Sequence, residues 1–555
     1  MHTKRSLTVN FIKSNGLWCA FLFILASLGS VLHIFIPLSV GGYFELLFDS
    51  NSTKALLLAW FGIKISSLNN FFIIFFSLTA LLGIHHFVFK FVSGIVAEKF
   101  SQFVREKTFE AQMNHSLSVH RLKADGKYLL RYSGDLNAIQ NFLTKGVIQF
   151  AADILFIVLF GLFTFQFSSF LSGFIAGLFI LSYSITYALS KFTFQITRKR
   201  RTERSKLLGF VSSRMHAFQT IKAFNREKKE LRSFQRRSKM LYNAGIRYAI
   251  KTSIVHGFIP LLFYTSLGIS LYWLSYSSEL QKPQAVAFVL MFLYMQTIMK
   301  RAQRTTLVWQ FASVSFIKLT EIINFSQESK NETVEKSRFH KTLEVRNLSF
   351  KFEEDDKELL IAQLHFNIQE NGIYWLKGKA SSGKSTLLQL IQGLYTPTQG
   401  EILYDGVSHK QLTPFDIRRS VSTVSDELPI LGGSVKKSIL YNDDPRTISR
   451  ALELMKHFHF KNEFTSEQIL DFKLEDNARN LSASDRMKLQ FVRAFATQKK
   501  IILLDNPFQS FDEATTLLAV NFLNRIESDY IILLTAGSLP KDLNIHSSLA
   551  LTKQL

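Results

Sequence analysis

Gly378-Lys-Ala-Ser-Ser-Gly-Lys384-Ser385 decides how the second half of this chain is read. In the spacing G-x-x-x-x-G-K-[ST] the glycines let backbone N–H groups curl around a β-phosphate. The lysine meets the outer phosphates and the hydroxyl takes Mg²⁺. Every part is present: Gly378, Gly383, Lys384 and Ser385, with Ser381 and Ser382 in the loop and Thr386 just behind it. The flanks predict a short buried strand over Ile373–Leu376 and a helix over Thr386–Ile391, the setting such a loop requires. Further on, Ile501-Ile-Leu-Leu-Asp505 is an apolar strand ending in a carboxylate, and the residue after it is Asn506.

Working outward, composition changes sharply. The chain has 555 residues, is 47% hydrophobic and has a mean hydropathy of +0.11, high for a wholly water-soluble protein. Long apolar stretches lie at about 16–47, 69–97, 145–166, 168–190, 252–276 and 284–312, each long enough to cross a bilayer core of roughly 30 Å. All precede residue 325, and the remainder is ordinary mixed α/β sequence. The predicted division is a membrane domain over 1–325, a polar linker over 326–341 and a soluble domain over 342–555. That soluble domain opens on an alternating strand, Leu343 to Phe352.

The net charge of +23 raises nucleic acid as a partner, but its distribution does not fit. Eighteen Lys and Arg fall between Lys191 and Lys251, between two apolar spans, with no aromatic-basic interleaving. That pattern marks a cytoplasmic extension, and no nucleic-acid partner is expected. Lys4, Arg5 and Lys13 put the N-terminus on the same side, while 48–70 and 275–282 are sparsely basic and fit external loops. The first apolar run is too long for a cleaved signal and is expected to remain as a transmembrane helix, with no room before it for a further domain. Cys19 is the single cysteine, so no disulfide forms within the chain.

Two polar segments of helical period, 96–141 and 191–251, extend membrane helices on the cytoplasmic side. Asp125-Gly126 and Ser133-Gly134-Asp135 are expected breaks, with Asp135 as a helix cap. Six spans, two long cytoplasmic extensions, a strand, a phosphate loop and an Asp-ending strand about 120 residues later resemble a half-size ABC exporter over nearly the whole chain. The fold this implies is a six-helix membrane α-helical domain followed by an α/β P-loop NTPase domain, the ATP-binding cassette.

The resemblance assigns roles one position at a time. Phe352 matches the aromatic that stacks on adenine. Gly378, Ser381, Ser382, Gly383, Lys384, Ser385 and Thr386 match the loop that binds ATP, and Ser385 with Asp505 would hold Mg²⁺. Asp426 stands where a glutamine senses water and magnesium. Asp512 matches the aspartate of the loop that crosses the dimer interface. Other positions depart from the pattern. The glutamate that polarises the attacking water is Asn506, which cannot accept a proton, and a missing general base costs about 10²–10⁴ in rate. The histidine that touches the γ-phosphate is Ala536. The signature Leu-Ser-Gly-Gly-Gln reads Leu481-Ser482-Ala483-Ser484-Asp485, so Ser482 survives, the two added side chains crowd a close backbone approach, and a carboxylate opposes phosphate.

Four departures around an intact loop resemble the weaker half of heterodimeric exporters. The implied protein holds ATP and Mg²⁺ at a degenerate site, lies in the inner (cytoplasmic) membrane, and pairs with a catalytically competent half-transporter to export a peptide, protein, lipid or drug-like molecule. Besides the lipid bilayer and this second subunit, periplasmic adaptor proteins are implied partners. The alternatives are a non-hydrolytic, ATP-gated homodimeric regulator or channel, and an active homodimeric ATPase. His33, His85, His86 and Lys90 lie in or near spans with no carboxylate or cysteine close in sequence, which favours structural roles over metal or haem. The stretches 115–127 and 214–220 are the expected relays between the two domains.

Overall fold

A computed structural model describes residues 2–47, 65, 67–118, 131–165, 168–276, 282–324, 342–352, 358–440 and 444–551. Contacts divide the chain into two compact units, one of Met1–Met113 with Lys123–Phe325, the other of Asn114–Leu122 with Ser326–Leu555. Asp125-Gly126, the 326–341 linker and nearly all of the two expected external loops lie outside the described residues.

The first unit is helical. A short helix, His2–Ser14, precedes Gly16–Leu47, Leu68–Met113, Ser169–His216, Glu227–Tyr276 and Lys282–Ile323, and a broken helix runs from Leu136 to Phe165. The six predicted apolar stretches coincide with these helices over their described residues, with Ser168 as the cap of Ser169–His216. Four of the helices are long and apolar enough to cross a membrane, and Ser169–Ile185 is a shorter apolar segment. The helices are held by apolar side chains that interlock, such as Phe156, Phe160, Phe263, Phe288 and Phe292, all essentially inaccessible. Phe72, Phe76, Phe87 and Phe91 point outward instead, as bulk facing lipid does.

The break in the third long helix has a local cause. Phe142–Ile148 forms a π-helical turn, and the Gly146 carbonyl within it accepts a hydrogen bond from Trp309 Nε1 at 2.7 Å. A Cβ at Gly146 would sit 2.8 Å from that nitrogen, so the indole needs glycine there. Asp135 corrects an expectation. It precedes helix Leu136–Asn141 in helical conformation and makes no capping bond. Its buried carboxylate accepts from Ser315 Oγ at 2.8 Å and faces Arg201 Nη1 at 3.5 Å. Tertiary partners displaced the local cap because a buried carboxylate needs donors, and the first turn of its own helix was supplied by a continuing π-turn.

The second unit carries two main sheets and a small two-stranded one, Gly433–Ser434 against Lys473–Leu474. Four strands, Ile361–Ile368, Leu343–Phe350, Gln399–Tyr404 and Val407–Ser408, pair antiparallel in that order. The opening strand does not keep its alternation. Its pairing shifts register between Val345 and Leu348, Asn347 takes φ +46°, and Leu348, Ser349 and Phe350 are all buried.

Five parallel strands form the other sheet, in the order Ser547–Ala550, Gly372–Lys377, Ile531–Thr535, Ile501–Asp505, Val421–Ser425. The two central strands are buried at every residue, as a sheet covered on both faces demands. Helix Lys384–Ile391 packs on one side with the antiparallel sheet, and Ala483–Ala496 and Glu513–Ile526 pack on the other.

Candidate nucleotide site

In an open parallel sheet ligands bind beyond the carboxyl ends of the strands. Strand Gly372–Lys377 runs directly into the loop from Gly378, and helix Lys384–Ile391 leaves it. The loop needs its glycines. A Cβ on Gly378 would lie 2.6 Å from Ser382 Oγ and 3.0 Å from the Leu551 carbonyl. Gly383 caps the helix at φ +90°, and a Cβ there would press Ile361 at 3.0 Å. Ser381, a non-glycine residue, is also held left-handed at φ +60°. Such turns aim successive N–H groups into one concavity, an anion nest at a helix N-terminus.

Lys384 Nζ donates to the carbonyls of Gly378 and Lys379 at 2.7 and 2.8 Å, spanning the loop from within. Ser382 Oγ is buried with no hydrogen-bond partner among the described residues, a cost that a phosphate oxygen would remove. Ser385 and Thr386 occupy the first turn of the helix, Thr386 buried. The residues present therefore fit a nucleotide triphosphate. The oxygens of Ser385 and Asp505 are the donor type Mg²⁺ takes.

Asp505 is 9% exposed and held from two sides. Thr535 Oγ1 donates to its Oδ1 at 2.6 Å, and Asn506 Nδ2 lies 3.4 Å from the same oxygen. The Asn506 backbone N–H in turn reaches the Thr535 carbonyl at 3.0 Å and its Oγ1 at 3.1 Å, with φ at +48°. Thr535 was no candidate, yet the sequence signals it. Ile501-Ile-Leu-Leu-Asp505 and Ile531-Ile-Leu-Leu-Thr535 are the same apolar run with different polar ends, and the strands pair flush, Thr535 against Asp505.

The register also collects the departures. Ser425 pairs with Asp505 and Asp505 with Thr535, so Asp426, Asn506 and Ala536 each follow the last residue of three adjacent strands. Asp426 is exposed and its Oδ2 accepts from Ser510 Oγ at 3.1 Å, tying it to the loop that leads to Asp512. Trp375 Nε1 is 3.4 Å from the Ala536 carbonyl, and no side chain there offers a donor.

The signature segment lies elsewhere, at the start of helix Ala483–Ala496. Ser482 caps that helix, its hydroxyl accepting from the Asp485 amide at 3.0 Å, and the Asp485 carboxylate lies 3.6 Å from Lys488 Nζ. Asp512 caps helix Glu513–Ile526, accepting from the Thr515 amide at 2.8 Å. Hydrogen bonds from the Thr515 side chain and amide hold its carboxyl below the usual range. Phe352 lies just past the opening strand with 45% of its surface exposed, edge-on to Phe350 and to Tyr395 at 5.2 and 5.7 Å. An open ring of this kind can accept a stacked base.

In the helical unit, His85 Nε2 is 2.8 Å from the Leu25 carbonyl and its ring fits against Gly29. His33 stacks on Tyr294 at 4.3 Å and lies 5.5 Å from His86. Among the described residues no three His, Cys, Asp or Glu side chains cluster to hold a metal. A carboxylate does come near in space. Arg301, whose guanidinium lies 5.9 Å from the Tyr294 ring, forms a two-pronged pair with Asp153, with Nη2 to Oδ1 at 2.7 Å and Nε to Oδ2 at 3.2 Å. Asp153 is 2% exposed, and Gln149 donates to it at 3.2 Å. A single acid in the 145–166 span and the cations Lys300, Arg301 and Arg304 in the 284–312 span were the available signal.

Two family models match the chain. One, described as ABC transporter transmembrane region, covers residues 19–299, and one described as ABC transporter covers 361–509. The chain is 22% identical over 445 residues to a multidrug resistance ABC transporter ATP-binding and permease protein of Lactococcus lactis subsp. lactis, covering 78% of this chain and 74% of that protein. It is 22% identical over 452 residues to ATP-dependent lipid A-core flippase 1 of Colwellia psychrerythraea, covering 79% and 74%. Its fold is similar to that of a bacterial Atm1-family ABC exporter solved with ATP bound, with a TM-score of 0.81, 16% identity, and 98% and 94% of the two chains covered.

Proposed function

Because the chain belongs to the ABC transporter family, with a transmembrane region and an ATP-binding domain in one half-size polypeptide, we propose that it is an ATP-holding exporter subunit whose own nucleotide site is degenerate. In this reading 1–325 lies in the inner (cytoplasmic) membrane, 326–341 links, and 342–555 is the cassette on the cytoplasmic side. The chain pairs with a catalytically competent half-transporter. The relatives' names, lipid A-core flippase and multidrug transporter, favour an amphipathic cargo within the wider set of peptide, protein, lipid or drug-like molecules.

The observation that carries this reading is the end of strand Ile501–Asp505. Asp505 is held by Thr535 and Asn506, fit for a cation, while the adjoining position offers an amide turned onto Asp505. That amide cannot take a proton from water, and neither can Ala536. Bound ATP–Mg²⁺ supplies the phosphates and charge that draw two cassettes together. Gly378 to Gly383 cradle the phosphates, Lys384 meets their outer oxygens, Ser385 and Asp505 hold the cation, and Phe352 stacks on the base. With Ala536 for histidine and Asn506 for glutamate, the nucleotide stays bound. In the opposite composite site this chain contributes Ser482, flanked by Ala483, Ser484 and Asp485, which slows the partner's turnover.

The test is ATP binding and phosphate release by the purified full chain in nanodiscs. Mg²⁺-dependent binding that is lost in Lys384→Ala, with little phosphate release, is expected. Rapid release by the chain alone, abolished in Lys384→Ala, would sink the degenerate-site reading.

A further inference from the structure

A cavity of about 780 Å³ opens in the helical unit between helices Leu136–Asn141, Ser169–His216, Glu227–Tyr276 and Lys282–Ile323. Arg200, Arg201 and Arg204 line it, and no carboxylate does. Arg201 is already engaged, by Asp135 at 3.5 Å and by Ser315 Oγ at 3.0 Å. Arg200 and Arg204 are exposed and make no ion pair with any described carboxylate.

Helix geometry makes this arrangement costly. Arg200 and Arg204 are four residues apart, on one face, where like charges repel and destabilise a helix. Glu203 is the single acid on that 48-residue helix, and its Oε1 is taken by Lys206 at 3.0 Å. The facing stretch 231–250 holds five more cations and no acid. Among the described residues, therefore, no carboxylate supplies the counter-charge.

The rest of the wall says what else the ligand carries. Arg200 lies over the Tyr248 ring at 4.9 Å and Arg201 over Phe311 at 4.9 Å, so the cations sit beside aromatic faces. Tyr242 is 65% exposed and Ile246 43%, both lining the space. Thr197, 2% exposed, also lines it, and its Oγ1 has no hydrogen-bond partner among the described residues. A bare inorganic ion would leave this apolar wall wet, and an uncharged lipid would leave two guanidinium groups facing it.

We propose that this cavity binds an amphipathic anion, a phosphate or carboxylate joined to an apolar body, with Arg200 and Arg204 on the anionic group and Tyr242, Tyr248 and Phe311 against the body. This rests on the reading of the chain as a transporter subunit and assigns the charge class of what the transporter takes up. Bidentate guanidinium pairing suits either oxyanion.

Native mass spectrometry of the full chain in a neutral detergent tests it with three probes: oleoyl lysophosphatidate, monoolein and inorganic phosphate. Lysophosphatidate is expected to occupy one site, with monoolein and phosphate about tenfold weaker or more, and Arg200→Gln/Arg204→Gln to lower its occupancy by about tenfold or more. Both arginines are exposed and mutually repulsive, so the variant should fold; its melting temperature and its ATP binding serve as checks, and Arg204→Gln alone is the fallback. Equal occupancy by monoolein overturns the proposal, as does lysophosphatidate binding that neither variant weakens. Phosphate binding as tightly as lysophosphatidate overturns the amphipathic part. ATP binding by the same preparation is scored separately. Its loss in the wild type sinks the transporter reading, whereas intact ATP binding without anion selectivity sinks this inference alone.

Discussion

Asn506→Glu tests the proposal that an amide in place of a proton acceptor leaves this nucleotide site without hydrolysis. The new side chain enters at φ +48°, a conformation that costs a residue other than Gly, Asn or Asp about 1–2 kcal/mol. It also loses the 3.4 Å amide contact and turns a second carboxylate toward Asp505. Two such charges about 4 Å apart repel by about 4 kcal/mol at an effective dielectric of 20. Without Mg²⁺ the variant should therefore melt several degrees below wild type, and Mg²⁺ with ATP should restore most of the difference. Once the cation is bound, the carboxylate can take a proton from water. A general base contributes about 10²–10⁴ in rate, and with Ala536 unchanged the lower end is expected. The assay is steady-state phosphate release by the full chain in nanodiscs, with Lys384→Ala/Asn506→Glu as background. Tight ATP binding with no faster release than wild type would refute the reasoning and place the block at Ala536 or in the signature segment.

Three further outcomes follow from named contacts. Thr535→Val removes the 2.6 Å donor to Asp505, a buried bond to a charged group worth about 1.5–3 kcal/mol. Calorimetry should show weaker Mg²⁺-dependent ATP binding, with Thr535→Ser near wild type. Arg301→Gln strands a carboxylate that is 2% exposed, and breaking such a pair costs about 3–5 kcal/mol. Faster unfolding in detergent is expected, partly reversed in Asp153→Asn/Arg301→Gln. Asp512 has a folded-state pKa below its unfolded one, so its contribution is complete above the ordinary aspartate range, about 3.9, and is lost as pH falls through the lowered value. Asp512→Asn can still cap the helix but should flatten that part of the melting-temperature profile between pH 6 and 3.

Patterns local in the chain were legible, because their physics is local. A phosphate loop is specified by glycines at fixed offsets, and the structure places Gly378 and Gly383 where a Cβ would strike Ser382, Leu551 or Ile361. Apolar runs long enough to span a bilayer announced the helices. What failed was likewise instructive. Asp135 looked like a cap because caps are recognised from neighbours in sequence, but its partners Ser315 and Arg201 are 180 and 66 positions away. The opening strand looked alternating, yet a bulge at Asn347 buried three consecutive residues.

By itself the sequence determined that a membrane-spanning half and a nucleotide-gripping half share this polypeptide, since loop spacing and hydropathy are properties of contiguous residues. It also exposed each substituted position singly. Only the tertiary structure decided that Asp426, Asn506 and Ala536 each follow the last residue of three neighbouring strands, because parallel registers join residues 80 and 30 positions apart. The same holds for the arginines at 200 and 204. That no described carboxylate pairs with them depends on which helices pack around them, which no local pattern specifies.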